Sequence, residues 1–410
     1  MIAEILSIGD ELLIGQIVNT NAAYLSKHLT RLGYEIKWVT TVGDHAGDLK
    51  QALALSMSRS EVVIATGGLG PTHDDITKTV AADFFQSKLI FRADILERLK
   101  REFSKRGIKM AAVNEEQALV PEKARVLENP LGSAPGLLFH KNGKKCFILP
   151  GVPAEMKAIC EQSVFSTLAD QSQKIVQKTI RTTGLPESTL FERIGDLKNI
   201  QKFVKVAFLP KAAGVDIRLT ARGEILQECQ TNIEKALAFF VEKIGKYVYA
   251  FDEEELEQTV AKLLLENHKT LGVAESCTGG LLSNKLTNIS GSSNYFERGV
   301  IAYSNEAKMQ LLRVPQDLLD KYGAVSPQVA GAMAGGVKKI SGADFGLSTT
   351  GIAGPTGGTP EKPVGLVYVG LAQKERCFSK KFHFFKDRLL NKERTVQAAL
   401  NLLRREILKP

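Results

Sequence analysis

The chain has 410 residues, of which 44% are hydrophobic and 24% are charged, and its formal net charge is +9. This length exceeds one ordinary hydrophobic core, the composition is that of a soluble globular protein, and no apolar run is long enough to span a membrane. Five scattered cysteines and six histidines form no CxxC, HxxxH or HExxH pattern, which argues against disulfides and zinc. Because the sequence also lacks a basic leader segment, we expect a cytosolic protein.

The first 165 residues alternate between apolar strands and helices. Predicted strands are AEILSIG, EIKWVTTV and EVVIAT, with helices at about 21–32 and 49–57. This alternation indicates a parallel sheet flanked by helices. A polar stretch near 166–178 leads into a small α+β region, and an acidic run at 252–257 opens a third region in which helices and strands alternate. The sequence therefore predicts an α/β protein with domains at 1–168, 169–250 and 251–410.

A glycine-rich turn, GGLGPTHDD at 67–75, follows the predicted strand at 61–66 and precedes a helix. Closely spaced glycines let backbone N–H groups approach a phosphate. The alternative is a plain turn in which Asp75 caps the next helix. Further polar segments stand at predicted strand ends or turns, at 7–11, 19–21, 42–44, 134–136 and 150–156. In a parallel sheet such ends converge on one edge, which favours a ligand site there.

The segment AESCTGG, at 274–280, follows the predicted buried strand TLGVA and precedes a helix that Thr278 is placed to cap. Polar groups in this position lie where open α/β sheets bind ligands. Three more segments carry polar groups out of strands or turns, at 291–308, 323–326 and 349–365. No histidine lies in any of the four, so a hydrolase built from them needs another base.

Lys308 is the natural candidate for that base. A desolvated lysine can lose its proton at neutral pH and activate a nearby hydroxyl, such as that of Ser276. Two alternatives stay open, because Lys308 also fits a surface position in the helix after YSN and Ser276 also fits a helix cap. Cys277 is a rival nucleophile, but no histidine nearby in sequence would activate it.

Together these motifs resemble the competence/damage-inducible protein A (CinA) family, along essentially the whole chain. The N-terminal segments resemble its molybdopterin-binding-like domain, a three-layer α/β/α fold, and residues 169–250 resemble a KH-type α+β domain. The motifs AESCTGG, FERGVIAYSNEAK, GAVS and GIAGPxGG…KPVG resemble its C-terminal α/β domain, which is similar to nicotinamide mononucleotide (NMN) amidohydrolases. The resemblance implies a homodimeric enzyme with two substrates: NMN, hydrolysed to nicotinate mononucleotide and ammonia, and ADP-ribose, split into AMP and ribose 5-phosphate.

For the C-terminal domain, the resemblance assigns Ser276 as nucleophile and Lys308 as its general base. It makes Tyr303 and Ser293 neighbours that orient the proton path or the substrate amide. No cofactor is expected in this domain.

Arg388 matches a family arginine that would bind the nucleotide phosphate with its guanidinium fork. Lys386 stands where the family pattern has glycine, which departs from it next to this site. The other substrate-binding candidates of this domain are Thr278, Gly279, Gly280, Thr350, Gly351 and Gly354.

For the N-terminal domain, the resemblance implies a divalent metal (Mg, Mn or Co) that bridges the diphosphate. The metal candidates are Asp44, Asp75 and Glu155. Asp10, Glu11 and Asp74 are weaker candidates, since the first two also fit caps of the helix near Leu12. The substrate-binding candidates are Gly67, Gly68, Gly70, Thr72 and Thr77.

Two other functions remain open. A DNA-binding competence or recombination accessory protein would fit the basic charge, and a molybdopterin-binding module without pyrophosphatase activity would fit the N-terminal pocket. Residues 376–410 hold ten Lys/Arg and three Asp/Glu, and they also carry an apolar stripe at Val396, Ala399, Leu400, Leu403 and Ile407. This pattern predicts a docked amphipathic helix with a solvated basic face. Residues 169–250 contain no GxxG loop, so nucleic acid is not an expected partner.

In the same region, VKVAFLPKAAGVDIRLTARG predicts a strand, a loop and a second strand, with Pro210 interrupting the first.

Overall fold

The structure is a computed structural model, and it describes every residue except 73, 74, 106, 108, 170–173, 375, 386 and 410. The chain divides into two compact units, one formed by 1–175 with 222–226 and the other by 176–221 with 227–410. Both units mix helices with strands, so the predicted α/β class is confirmed.

The first unit contains a six-stranded sheet and a separate pair of short strands. The strands are β1 (Ile2–Ile8), β2 (Glu35–Val42), β3 (Val62–Thr66), β4 (Leu89–Phe91), β5 (Leu119–Pro121), β6 (Arg125–Leu127), β7 (Gly136–Lys141) and β8 (Lys144–Leu149). The helices are α1 (Asp10–Leu13), α2 (Thr20–Arg31), α3 (Ala46–Arg59), α4 (Thr77–Phe84), α5 (Ala93–Lys105), α6 (Pro153–Ile159) and α7 (Phe165–Leu168). A 3-10 turn covers Ala112–Ala118, and a π-helical turn, Cys160–Val164, joins α6 to α7.

The large sheet has the strand order β2-β1-β3-β8-β7-β6, and β2, β1, β3 and β8 run parallel. Alternate residues of β3 enter two different cores: Val63 and Ala65 pack with α3 and α4, whereas Val62 and Ile64 pack with α2 and α6. This alternation produces the predicted three layers, α/β/α. The carboxyl ends of the parallel strands therefore meet at one edge, where the glycine-rich turn begins.

The remaining strands form two more sheets. The strands are β9 (Lys174–Thr182), β10 (Lys205–Lys211), β11 (Gly214–Gly223), β12 (Val248–Phe251), β13 (Leu271–Glu275), β14 (Phe296–Ile301), β15 (Phe345–Gly351), β16 (Leu366–Gln373) and β17 (Arg376–His383). The helices are α8 (Glu187–Ile194), α9 (Lys198–Gln201), α10 (Leu226–Ile244), α11 (Leu256–Glu266), α12 (Leu281–Thr287), α13 (Asn305–Leu312), α14 (Gln316–Tyr322), α15 (Pro327–Ser341) and α16 (Arg388–Ile407). Two 3-10 turns cover Gly245–Tyr247 and Ser292–Asn294.

The four-stranded sheet has the order β10-β11-β9-β12, and α10 covers one of its faces. The prediction that Pro210 interrupts its strand is wrong, because Pro210 lies inside β10 and pairs with Val215. Since β10 is an edge strand, the missing N–H of Pro210 need not serve a second neighbour, which is the position where sheets tolerate proline.

The five-stranded sheet has the order β14-β13-β15-β16-β17, in which β14, β13 and β15 are parallel and β16 and β17 antiparallel. Val273 of β13 enters the core shared with α11 and α16, and the next residue, Ala274, enters the core shared with α15. The predicted apolar stripe of α16 lies in the first of these cores, which confirms the amphipathic helix.

A buried ion pair links the four-stranded sheet to the start of α11. Arg181 of β9 is 6% exposed, its Nη1 lies 3.1 Å from Asp216 Oδ2 of β11, and it also pairs with Glu255, the residue before α11. Its Nε donates to the hydroxyl of Tyr249 at 3.2 Å. Removing the arginine would leave the buried carboxylate of Asp216 with Lys211 as its nearest cation, at 2.9 Å.

Arg181→Met is therefore expected to lower the free energy of unfolding by about 2 kcal/mol, because it removes charge-assisted hydrogen bonds from a buried cluster while Lys211 still pairs with Asp216. The measurement is the urea midpoint of the far-UV circular dichroism signal. Lys178→Met is the matched control on the same strand, since the side chains of Lys178 and Asp252 are 36% and 45% exposed. Its effect should stay below about 1 kcal/mol. Equal midpoints for the two variants would contradict a structural role for the buried pair.

Candidate active site

The turn after β13 is anchored by Glu275, a fully buried carboxylate at the end of that strand. One oxygen accepts from the N–H groups of Gly280 and Leu282, both at 3.0 Å, and the other from the N–H and hydroxyl of Ser283, at 2.8 and 2.7 Å. Four donors at the start of α12 thus converge on one side chain, which replaces an ordinary cap. This anchor fixes the residues between Glu275 and the helix, including Ser276.

Ser276 and Lys308 meet in the site. Lys308 Nζ lies 3.2 Å from Ser276 Oγ, and the two residues are 1% and 8% exposed, respectively. The alternatives that placed Lys308 on the surface and made Ser276 a helix cap are therefore wrong; the N-cap position of α12 is Gly280. The predicted cap Thr278 is wrong for the same reason.

Lys308 reaches Ser276 because it lies in the first turn of α13. Helical side chains lean toward the N-terminus, so its amine returns to the segment before the helix. There Nζ donates to the backbone oxygens of Ala302 at 3.0 Å and Tyr303 at 2.9 Å, with the oxygen of Ser304 at 3.4 Å. A neutral amine has two N–H donors and one lone pair. The two closest carbonyls take the donors, and the lone pair is left for the Ser276 hydroxyl.

Burial lowers the pKa of the Lys308 amine below its ordinary value, while the neighbouring Cys277 acts weakly in the opposite direction. Position in the first helical turn also disfavours a positive charge. Burial raises the pKa of the Cys277 thiol to about 12, so this rival nucleophile stays protonated near neutral pH.

Tyr303, Arg388 and the loop after β15 form one wall of the site. Arg388 Nη1 donates to the backbone oxygen of Gly354 at 2.8 Å, and its Nη2 lies 3.2 Å from the Tyr303 hydroxyl. Tyr303 is 61% exposed, so its ring faces open space rather than the core.

Asn391, which the sequence analysis did not identify, stabilises the loop of this wall by hydrogen bonds. Its Nδ2 donates to the backbone oxygens of Ala353 at 2.9 Å and Phe385 at 2.7 Å, and the residue is fully buried. Asn391 thereby ties the loop that carries Gly354 to the start of α16. An asparagine inside a helix whose stripe is otherwise apolar was the available signal.

The threonine candidates lie beneath the site. Thr278 is fully buried and its Oγ1 is 2.7 Å from Thr349 Oγ1, while Thr350 Oγ1 donates to the backbone oxygen of Ala324 at 2.8 Å. Gly351 ends β15 and Gly354 stands in the loop beyond it. These residues shape the floor, and Gly279 and Gly280 form the exposed turn above it.

Ser293 is not brought to this site. It precedes β14, in the turn at Ser292–Asn294, whereas Tyr303 follows the other end of that strand. Six residues of strand separate the two ends by about 17 Å. Since β14 and β13 are parallel, Ser293 lies at the edge opposite to Ser276 within this chain.

In the N-terminal unit, the glycine-rich turn connects the ends of three strands. Gly67 has φ +117°, and a Cβ there would lie 2.1 Å from the backbone oxygen of Ile8, so the turn closes against β1 only with glycine. Gly68 accepts from the N–H of Thr77 at 3.1 Å, and Gly70 packs against Asp75. The Oγ1 of Thr77 is buried without a hydrogen-bond partner in the part of the chain that the structure describes.

Asp75 does not cap α4, so the plain-turn alternative is wrong in this respect. Its Oδ2 accepts from the N–H of Thr72 at 2.9 Å and from the Thr72 hydroxyl. Asp44 lies within electrostatic range: its pKa is raised by burial and by the carboxylates of Asp10, Glu11 and Asp75. Asp44 Oδ2 accepts from the N–H of Asp10 at 3.1 Å, and the expected cap of α1 is absent, since Gly9 precedes it without a side-chain bond.

Glu155 has described partners of its own. Its Oε2 accepts from Asn129 Nδ2 at 2.7 Å, and its carboxylate packs against Gly132. Among the described residues, which do not include the weaker candidate Asp74, no group of three or more His, Cys, Asp or Glu side chains is arranged to hold a metal ion. A cation would relieve the repulsion between Asp44 and its acidic neighbours, so these residues fit one.

Comparison with known proteins identifies the family. The CinA C-terminal domain model matches residues 253–407, the model described as "Probable molybdopterin binding domain" matches 4–170, and the damage-inducible protein CinA KH domain model matches 177–250. A competence-damage inducible protein of Caldicellulosiruptor bescii is 46% identical over 409 residues, covering 100% of both chains. A CinA-like protein of Chloroherpeton thalassium is 45% identical, covering 98% of this chain and 99% of its own. The chain therefore belongs to the CinA family.

Among solved structures, a CinA protein of unknown function from Thermoplasma acidophilum is 35% identical over 41% of this chain and 97% of its own, with a TM-score of 0.38. In the described part of this chain, no helix has the length and apolar character needed to span a membrane.

Glu275→Gln tests the anchor of the Ser276 turn. An amide places an NH₂ group against backbone N–H donors in either orientation, so we expect a loss of about 2 kcal/mol in the free energy of unfolding. The measurement is chemical denaturation. Glu266→Gln, at the exposed end of α11, is the control and should leave the midpoint unchanged. A Glu275→Gln protein as stable as wild type would show that the four hydrogen bonds contribute little.

Proposed function

We propose that the C-terminal domain is an amide hydrolase that converts NMN to nicotinate mononucleotide and ammonia. The observation that carries the proposal is the buried contact of 3.2 Å between Lys308 Nζ and Ser276 Oγ. The family's domain types are compatible with enzymatic activity, and this pair supplies a nucleophile and a base without histidine.

In the first step, the neutral Lys308 amine takes the proton of Ser276, and Oγ attacks the carboxamide carbon of NMN. The C–N bond breaks, and the ammonium of Lys308 returns the proton to the departing ammonia. In the second step, Lys308 takes a proton from water, whose oxygen attacks the acyl carbon. The C–Oγ bond then breaks, and the Lys308 ammonium returns the proton to Ser276 Oγ as the acid is released. The carbonyls of Ala302 and Tyr303 hold the amine in place throughout.

Arg388 and Tyr303 would bind the rest of the nucleotide. The guanidinium is held by Gly354 and directed at the Tyr303 hydroxyl, so its remaining donors are available to phosphate oxygens. The proposal requires no cofactor in this domain.

Ser276→Ala and Lys308→Met are each expected to lower kcat for ammonia release from NMN by about 10³-fold or more, because they remove nucleophile and base. A coupled ammonia assay measures this. Cys277→Ala is the control, and its rate should remain within about threefold of wild type, because the protonated thiol takes no part.

The base role also fixes the pH dependence. Because Lys308 must be neutral, kcat/KM should rise with pH and level off with a midpoint below the ordinary lysine value of about 10.4. Lys308→Arg keeps the charge at every accessible pH and should stay inactive throughout. A rate that is independent of pH, or an active arginine variant, would exclude the amine as base.

The N-terminal domain is proposed to hydrolyse ADP-ribose to AMP and ribose 5-phosphate with the help of a divalent metal. The raised pKa of Asp44 among Asp10, Glu11 and Asp75 supports it, since these carboxylates fit a cation at the strand edge. A bound Mg, Mn or Co ion would polarise the diphosphate and its attacking water. The backbone N–H groups of the glycine-rich turn and the first turn of α4 face the same edge and suit phosphate oxygens.

Asp75→Asn is expected to lower ADP-ribose hydrolysis by about 10²-fold or more, because it removes one of the carboxylates around Asp44 that would hold the metal. Glu155→Gln should change the rate by less than about threefold, since its carboxylate lies with Asn129 instead. AMP release, followed chromatographically with each metal, measures both. A chelator should abolish ADP-ribose hydrolysis and leave ammonia release from NMN unchanged. If Asp75→Asn and Glu155→Gln lowered the rate of ADP-ribose hydrolysis equally, Glu155 would be a metal ligand after all.

The division into domains at 1–168, 169–250 and 251–410, and assembly as a homodimer, remain proposals alongside these activities.

A further inference from the structure

The face of α16 that packs into the core becomes positively charged toward the start of the helix. Lys392 lies one turn after Arg388 and one turn before Val396, so the three residues share one face. Farther along that face, Val396, Ala399 and Leu403 are at most 1% exposed. Leu389, on another face, is 73% exposed. Arg388 is exposed and Lys392 is half-buried, so the face that is apolar farther along the helix carries two cations at its start.

Lys392 reaches the turn that follows Ser276. Its Nζ lies 3.7 Å from the position that a Cβ on Gly279 would take, and Gly279 and Gly280 have φ angles of +58° and +95°. Since neither glycine carries a side chain, the space between the turn and the start of α16 is bounded by the Lys392 amine on one side. Arg388, next to Tyr303, stands on the same helix face.

No described residue pairs with Lys392 by an ion pair or a hydrogen bond, although its side chain is half-buried. Its neighbour Glu393 instead lies 3.6 Å from Lys285, which also lies 3.5 Å from Glu257. An unpaired cation that is partly removed from water, beside a glycine turn and one helical turn from an arginine, is suited to an anionic ligand.

We propose that Lys392 and Arg388 together bind the phosphate dianion of the substrate, and that Lys392 makes the site select nucleotides over nucleosides. The inference rests on the proposed amide hydrolysis at Ser276. The carboxamide occupies the Ser276–Lys308 end, and the 5′-phosphate lies between the first two turns of α16 and the turn at Gly279–Gly280. The positive end of the α16 dipole adds to the attraction. A substrate without phosphate gains nothing from Lys392.

The kinetic test compares NMN with nicotinamide riboside, which has the same carboxamide and no phosphate. Lys392→Met should raise KM for NMN about tenfold or more, with kcat within about threefold, because one charged hydrogen bond to phosphate is lost. Its kcat/KM for the riboside should equal that of wild type. Lys392→Arg should recover most of the NMN affinity, and Lys262→Met, an exposed lysine on α11, should resemble wild type. Equal losses for both substrates, or no loss for NMN, would overturn the proposal and leave a solvated lysine only.

A binding test separates this inference from the amidase proposal. Nicotinate mononucleotide is titrated calorimetrically into the full-length Ser276→Ala protein, with and without Lys392→Met. Both proteins have the same N-terminal unit, so any difference arises from Lys392. A tenfold weaker dissociation constant in the double variant supports the phosphate site even if wild type releases no ammonia from NMN, a result that would reject the amidase alone. Equal binding, or none to either protein, overturns the phosphate site.

Discussion

The C-terminal site depends on keeping one lysine amine out of water without giving it a carboxylate. Lys308 is 1% exposed, and its Nζ meets backbone oxygens and the Ser276 hydroxyl. A buried carboxylate beside the amine would stabilise the ammonium and raise its pKa; neutral carbonyls do so far less. The acid nearest in sequence to the serine is Glu275, and both of its carboxylate oxygens accept hydrogen bonds from N–H groups at the start of α12. The local folding of the turn and the chemistry proposed for the amine are thus two results of one arrangement.

At the carboxyl ends of the parallel strands in the N-terminal unit, by contrast, several carboxylates lie within electrostatic range of one another. Asp10, Asp44 and Asp75 follow different parallel strands, and the glycine-rich turn closes tightly enough against Ile8 to keep those strand ends close. Burial and the neighbouring carboxylates together raise the pKa of Asp44. Clustered like charges of this kind are typical of sites that bind cations. The two sites therefore differ in composition: the C-terminal one is built around a buried amine, and the N-terminal one around neighbouring carboxylates.

The sequence was informative wherever periodicity and strand-end placement decide the structure. The α/β class, the parallel sheet flanked by helices and the buried stripe of α16 followed from apolar spacing. The three-layer fold and the pairing of Ser276 with Lys308 were implied by the family resemblance. The errors concern side chains whose partners apolar spacing does not reveal. Glu275 replaced the expected cap Thr278 because its carboxylate accepts from N–H groups five to eight residues later, at the start of α12. Ser293 was placed near the site by its motif, although within this chain β14 carries it to the other edge.

The last helix joins features that lie far apart. At its beginning, Arg388 and Asn391 hold the loop around Gly354. Near its end, Arg404 donates to the backbone oxygen of Val248 in β12 at 3.0 Å. A helix of 20 residues is about 30 Å long. One continuous element thus contacts the small sheet near its end and the loop around Gly354 at its beginning, so the same helix sets the spacing between these two parts.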